Sequence, residues 1–207
     1  YTIEKVVDIY ERLFNYNNGC EKWLISIEVS HFLLERRLIM GPKYEFTGET
    51  KNFEGRIVRR IRRLSDGKIG GWIEKEENLS QEGNCWVDDN AVVCDDAQVY
   101  GNAKIYDDGW VGGYSKLYDN AKVFDYAQVG GSNKVYGNAK VYGNAKVYGN
   151  ATVFGEAEVT DNAYVEGHTQ IYGNAKLYDD AWVYDDAHVY GGAIVSGDAI
   201  VCGNAKV

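Results

Sequence analysis

The sequence predicts a mainly β fold of short strands separated by tight corners, and three observations carry that expectation. From Val87 to Val207 an aliphatic residue returns at every sixth position, twenty-one times without an insertion. From Val93 onward, two residues before each stands a small residue, Ala at most positions, with Gly109, Ser115, Asn133 and Thr169 as departures. Between repeats fall Gly-Asn, Asp-Asp, Asp-Asn and Gly-Gly, residues that tolerate the positive φ of a tight corner. A period of six matches neither a helix at 3.6 nor an uninterrupted alternating strand. Each strand is therefore expected to centre on its aliphatic residue, with the flanking side chains pointing outward.

The run V-Y-G-N-A-K-V-Y-G-N-A-K-V-Y-G-N-A, residues 135–151, shows the unit most plainly. It resembles the left-handed parallel β-helix of hexapeptide-repeat proteins, and the resemblance covers residues 87–207. It implies a mainly β, left-handed solenoid in which three hexapeptides form one triangular coil of 18 residues, giving about six to seven coils. Residues 70–87, G-G-W-I-E-K-E-E-N-L-S-Q-E-G-N-C-W-V, are similar to the lead-in of bacterial and prophage hexapeptide proteins that carry the label acetyltransferase or polymer-forming. That similarity reaches back to Lys43 and implies a β cap over residues 43–86, with Trp72 and Trp86 closing the first coil.

Residues 1–42 have another rhythm. Ile3, Val6, Val7, Tyr10, Leu13 and Phe14 share one helical stripe ahead of Asn17-Asn18-Gly19, and a second apolar stretch over 21–40 ends at Gly41-Pro42. An α-helical N-terminal region is expected, which buries too little alone and so packs on the solenoid, across a dimer or on a partner. No apolar stretch reaches the roughly 18 residues of a membrane span, and the chain opens without a leader-like segment, so a soluble protein of the bacterial cytoplasm is expected. Cys20, Cys85, Cys94 and Cys202 have no C-x-x-C spacing, which indicates neither zinc nor a disulfide framework.

Charge divides the chain. The net charge is −9, yet residues 1–86 hold 14 Lys and Arg against 14 Asp and Glu, so the imbalance of 8 against 17 sits on the repeats. Binding of nucleic acid through bulk charge is disfavoured. One basic run, Arg56, Arg59, Arg60, Arg62 and Arg63, stands apart. It reads as a cap strand facing the acidic solenoid or water, or as a nucleic-acid or phosphate contact.

Treating residues 18 apart as neighbours maps three outward faces. The first carries Tyr100, Tyr118, Tyr136, Phe154, Tyr172 and Tyr190, an aromatic ladder that either stabilises itself or offers a platform to protein, sugar or unstacked bases. The second places Lys104, Lys122, Lys140 and Lys176 beside Tyr106, Phe124, Tyr142 and Tyr178. Its following corner gathers Asp89, Asp107, Asp108, Asp125, Asp161, Asp179, Asp180 and Asp198, an acidic edge explained by turn chemistry, by calcium or by mimicry of a phosphate backbone. The third exposes Val92, Trp110, Tyr164, Trp182 and Ile200 beside Gly112, Gly130, Tyr148 and Tyr184, which suits a contact face for the N-terminal helices or another subunit. That column, with a chain that stops at Val207 without a capping sequence, favours a homodimer.

Catalytic signatures are sparse. Acyltransferases of the hexapeptide family use a catalytic His and a loop that interrupts the coils; here His168 takes a corner position and His188 an ordinary outward one. The carbonic-anhydrase branch needs three His around zinc, and no third accompanies these two. The expectation is a non-catalytic interaction protein without a cofactor. Because similar proteins are frequent in phage genomes, the resemblance implies an inhibitor of a bacterial defence complex, an anti-CRISPR protein, blocking a basic groove with the acidic edge. The competing expectations are an acetyl-CoA-dependent acyltransferase and a structural or carbohydrate-binding phage module.

Overall fold

A computed structural model describes residues 41–207; the helices expected between residues 1 and 40 lie outside the described residues. Lys43–Val207 form one compact unit. Three longer strands come first, β1 (Tyr44–Phe53), β2 (Arg56–Arg63) and β3 (Ile69–Ile73), followed by a 3-10 turn at Glu76–Asn78 and twenty two-residue strands from Trp86–Val87 to Ile200–Val201. No helix among the described residues is long and apolar enough to cross a membrane.

The hexapeptide dictates this geometry. Each two-residue strand pairs in parallel with the strand 18 residues on, as Lys122 with Lys140 and Val123 with Val141, and the chain winds into a parallel β-solenoid of about seven turns. The strands collect into three sheets, of six, seven and ten strands. Every repeat aliphatic from Val87 to Val195 is at most 4% exposed, and Ala91, Ala121, Ala139 and Ala181 are fully enclosed. Each Val so buried contributes about 1.5–3 kcal/mol. The small residue is required because the chain has just turned a corner and its side chain points at the coil axis.

The departures from Ala are accommodated unevenly. Asn133, fully enclosed, is satisfied: its Nδ2 donates to the Val147 carbonyl at 2.9 Å and its Oδ1 accepts from the Ala151 N–H at 2.8 Å. Thr169 is equally enclosed, and its hydroxyl has no hydrogen-bond partner among the described residues.

The cap continues the ten-stranded sheet. β1 and β2 pair antiparallel, β2 and β3 likewise, and β3 adds in parallel to the strand Val92–Val93. Closure of the first coil falls to Tyr44, Ile61, Ile73 and Leu79, which join Trp86 in one cluster with the solenoid core. Trp72, expected to share that role, packs elsewhere: it aligns with outward-facing Val92 and clusters with Val58 and Cys94. Trp86 stands in the first short strand, Trp86–Val87, beneath the cap cluster, while strand parity sends Trp72 to the outside of its sheet.

Candidate functional site

The acidic edge is a real column, and it is built from backbone strain. Asp89, Asp107, Asp125, Asp161 and Asp179 all adopt positive φ between 51° and 57°. In each, the carboxylate Oδ2 accepts the backbone N–H of the residue one coil on: Asp89 from Asp107, Asp107 from Asp125, Asp125 from Gly143, Asp161 from Asp179, Asp179 from Gly197, at 3.0–3.4 Å. Asp95, Asp119 and Asp185, the other left-handed aspartates among the described residues, do the same at the other corners. Asp tolerates this conformation because its short side chain bonds locally, and here the bond reaches the next coil. Asp108, Asp180 and Asp198 occupy the adjoining corner position and are exposed; Asp180 accepts from the Asn162 amide at 3.0 Å. The edge is thus both structural and charged.

A second ladder escaped the sequence reading. At the tyrosine corner Asn84, Asn102, Asn120 and Asn138 pass one amide hydrogen bond from coil to coil at 3.0–3.1 Å. The recurring Gly-Asn and Asp-Asn pairs were its signal.

The aromatic ladder stacks along its full length. Consecutive rings from Tyr100 to Tyr190 lie 4.8–5.2 Å apart with interplanar angles of 1–10°. Both faces of Tyr118, Tyr136, Phe154 and Tyr172 are therefore covered by neighbouring rings, which leaves edges and hydroxyls outward and gives unstacked bases no face to lie on along the interior of the ladder. Burial raises the Tyr100 and Tyr118 phenols above their ordinary value.

On the second face Tyr106, Phe124 and Tyr142 stack at 4.8 Å. Lys104, Lys122 and Lys140 stand in register beside them. Glu158, which the sequence reading passed over, occupies the next place in the lysine column. It bridges Lys140 at 2.8 Å and Lys176 at 3.2 Å, and the Lys140 bond holds its carboxyl below the ordinary value.

The third face divides in two. Its upper part is covered from within the same unit, by the tip of the β1–β2 hairpin: Val92 is 3% exposed in the cluster with Val58, and the Phe53 ring lies 6.5 Å from that of Trp110. The Trp110 indole lies over two bare positions, since a Cβ at Gly112 would come within 2.5 Å of it and one at Gly130 within 3.0 Å. Lower down, Tyr164 and Trp182 meet edge to face at 5.8 Å, and Trp182 and Ile200 are exposed.

The basic run is occupied by partners in the cap and in the first solenoid coil. Arg56 pairs with Asp95 at 2.6 Å; Arg59 stacks 4.0 Å from the Phe46 ring and donates to the Glu74 carbonyl; Arg60 lies over Trp72; Arg62 pairs with Glu45; Arg63 lies over Trp86 and pairs with Asp66. Alternation along β2 aims these groups at partners the sequence could not rank.

Glu74, Cys94 and Asp95 bring three donor atoms within 4.8 Å of one another. Their chemistry is committed: the Asp95 N–H donates to Glu74, Asp95 is paired with Arg56 and accepts from Gly113, and the Trp110 indole donates to the Cys94 sulfur at 3.2 Å. Burial pushes the Cys94 thiol up to about 11, so it is protonated at neutral pH. Arg56 supplies the cation this cluster needs. His168 sits exposed at a corner and His188 half-buried on an outward strand position; among the described residues neither side chain has a hydrogen bond or ion pair.

These features define the class: a hexapeptide-repeat parallel β-solenoid with a strand cap. Residues 97–113 match the YdcK β-solenoid repeat family. The chain is similar to a protein of Escherichia coli (strain K12) named "Uncharacterized acetyltransferase YdcK", 43% identical over 56 residues. The match takes in 24% of this chain and spans 16% of that relative's length.

Proposed function

We propose that the solenoid is a non-catalytic interaction module that binds a protein partner along its acidic edge. The observation that carries this reading is the segregation of charge about the solenoid. Of the 17 Asp and Glu in residues 87–207, eight fall on the single corner after the lysine face, at least one in most coils. An edge of this kind steers a basic partner and sets its orientation. The finer proposal is that the partner is a nucleic-acid-binding bacterial defence complex in the host cytoplasm. The protein would then be a phage inhibitor of the anti-CRISPR kind, meeting a basic groove with carboxylates in place of phosphates. A left-handed coil sense and a homodimer formed through the open part of the third face, at Tyr164 and Trp182, complete the proposal.

The test is comparative capture from bacterial lysate with the wild type and with the Asp108→Lys, Asp180→Lys, Asp198→Lys variant. These exposed positions lie outside the left-handed ladder, so the aspartate bonds to the next coil's backbone N–H are kept and the Asn162 amide bond to Asp180 is the corner bond lost. A specific partner retained by the wild type and lost by the folded variant supports the reading; equal retention by both contradicts it. The name of the similar E. coli protein motivates a second reading, acyl transfer from acetyl-CoA, which the same edge variant would leave intact.

A further inference from the structure

We propose that the tyrosine corner and its two lysine-bearing flanks, over the three coils from Tyr100 to Tyr136, form a binding ridge for an acidic polysaccharide. This surface is separate from the acidic edge and its role is independent of it.

The first observation is an unrelieved repulsion. Lys104 stands directly beside Lys122 in adjacent strands of one sheet, and Lys116 directly beside Lys134 in the next. Like charges directly opposite destabilise a sheet. Farther along the same column Glu158 stands between Lys140 and Lys176 and pairs with both. No ion pair among the described residues does so for Lys104, Lys116, Lys122 or Lys134. Sites where a sequence breaks a local rule without internal compensation are where function is expected, and the missing counter-charge is an external anion.

The second observation is the surface between these columns. Tyr100, Tyr118 and Tyr136 stack within 4° of parallel, so each coil presents one hydroxyl and one ring edge. Ring edges carry the positive end of the aromatic quadrupole and favour anions. The patch also has a boundary. At the next coil Phe154 lacks the hydroxyl, Thr152 takes the place of Lys134, and Glu158 follows Lys140. The run of free ammonium groups ends there, and the run of ring hydroxyls is interrupted, resuming at Tyr172 and Tyr190.

The occupant follows from what the ridge offers. It is straight, convex and periodic, and repeats a hydroxyl flanked by ammonium groups at about 4.8 Å per coil. Single-stranded nucleic acid binds such proteins by laying bases on aromatic faces, and the faces of Tyr118 and Tyr136 are covered. A stiff chain with an acid group on each sugar matches the repeat and loses little conformational freedom on binding. One carboxylate, Asp119, lies at this corner, where its Oδ2 accepts the Gly137 N–H; negative charge farther away than about 8 Å is largely screened at physiological salt.

The experiment is calorimetric titration of the full chain with polygalacturonate, with neutral dextran, oligo-dT and polyglutamate as comparators. The wild type is expected to bind polygalacturonate in a salt-sensitive manner and the others weakly or not at all. The Lys104→Gln, Lys116→Gln, Lys122→Gln, Lys134→Gln variant is expected to bind about tenfold more weakly or worse, with an unfolding temperature equal to or above the wild type because the repulsion is gone. Tyr118→Phe keeps the stack, removes one hydroxyl and is expected to weaken binding as well. No binding of polygalacturonate, equal binding of dextran, preference for oligo-dT or polyglutamate, or unchanged affinity in the folded variants would each overturn the proposal.

Discussion

Asp125, held at a φ of 55°, accepts the backbone N–H of Gly143 at 3.0 Å, one coil farther along the solenoid. The N–H of a left-handed corner residue points along the solenoid axis, and an aspartate at the same corner of the preceding coil is placed to receive it. Asp125→Ala is expected to cost about 1–2 kcal/mol, from the lost bond and because Ala has no polar side chain to offset the positive φ. Asp125→Asn, which keeps an acceptor oxygen and tolerates the same backbone, should cost less than half of that. Denaturant unfolding of the two variants measures the difference.

Glu158 gives the solenoid a pH dependence. Its carboxyl is held below the ordinary value by Lys140 first and Lys176 after it, against an opposing desolvation. A depressed carboxyl contributes stability that is full above the unfolded value, near 4.3, and is lost as pH falls through the lower folded value. Wild-type unfolding temperature is therefore expected to decline below about pH 4. In Glu158→Gln that decline should be shallower and the neutral-pH stability lower, as thermal melts across the acid range will show.

The arginines of β2 are structural on this account, and unequally so. Arg59 donates twice to the Glu74 carbonyl and covers the Phe46 ring, so Arg59→Ala should destabilise by about 1–3 kcal/mol. Arg62 pairs with Glu45 at the surface, and its replacement by Ala should cost under about 1 kcal/mol. Neither change should alter retention on an immobilised oligonucleotide, which a phosphate-contact role would require.

The repeat made the coil interior legible in advance, because an 18-residue stack fixes both which residue points inward and which residues are neighbours. Val141 beneath Val123 and Tyr118 beneath Tyr100 follow from counting alone. What counting cannot supply is the direction of a hydrogen bond. Asp107 was legible as part of an acidic edge, but its bond to the Asp125 N–H depends on the corner dihedral. Glu158 was legible too, since it lies 18 residues from both Lys140 and Lys176. Outside the repeat there is no such ruler: the stacking of Arg60 on Trp72 and the cover of Val92 by the β1–β2 hairpin come from tertiary pairing between strands of unequal length.

The claim that this solenoid acts through its surfaces and not by acyl transfer is tested most directly by calorimetric titration of the full chain with acetyl-CoA, paired with an assay for released CoA. The account predicts no saturable heat and no CoA release for the wild type. Saturable micromolar binding with turnover, abolished by His168→Ala or His188→Ala in folded protein, would contradict it.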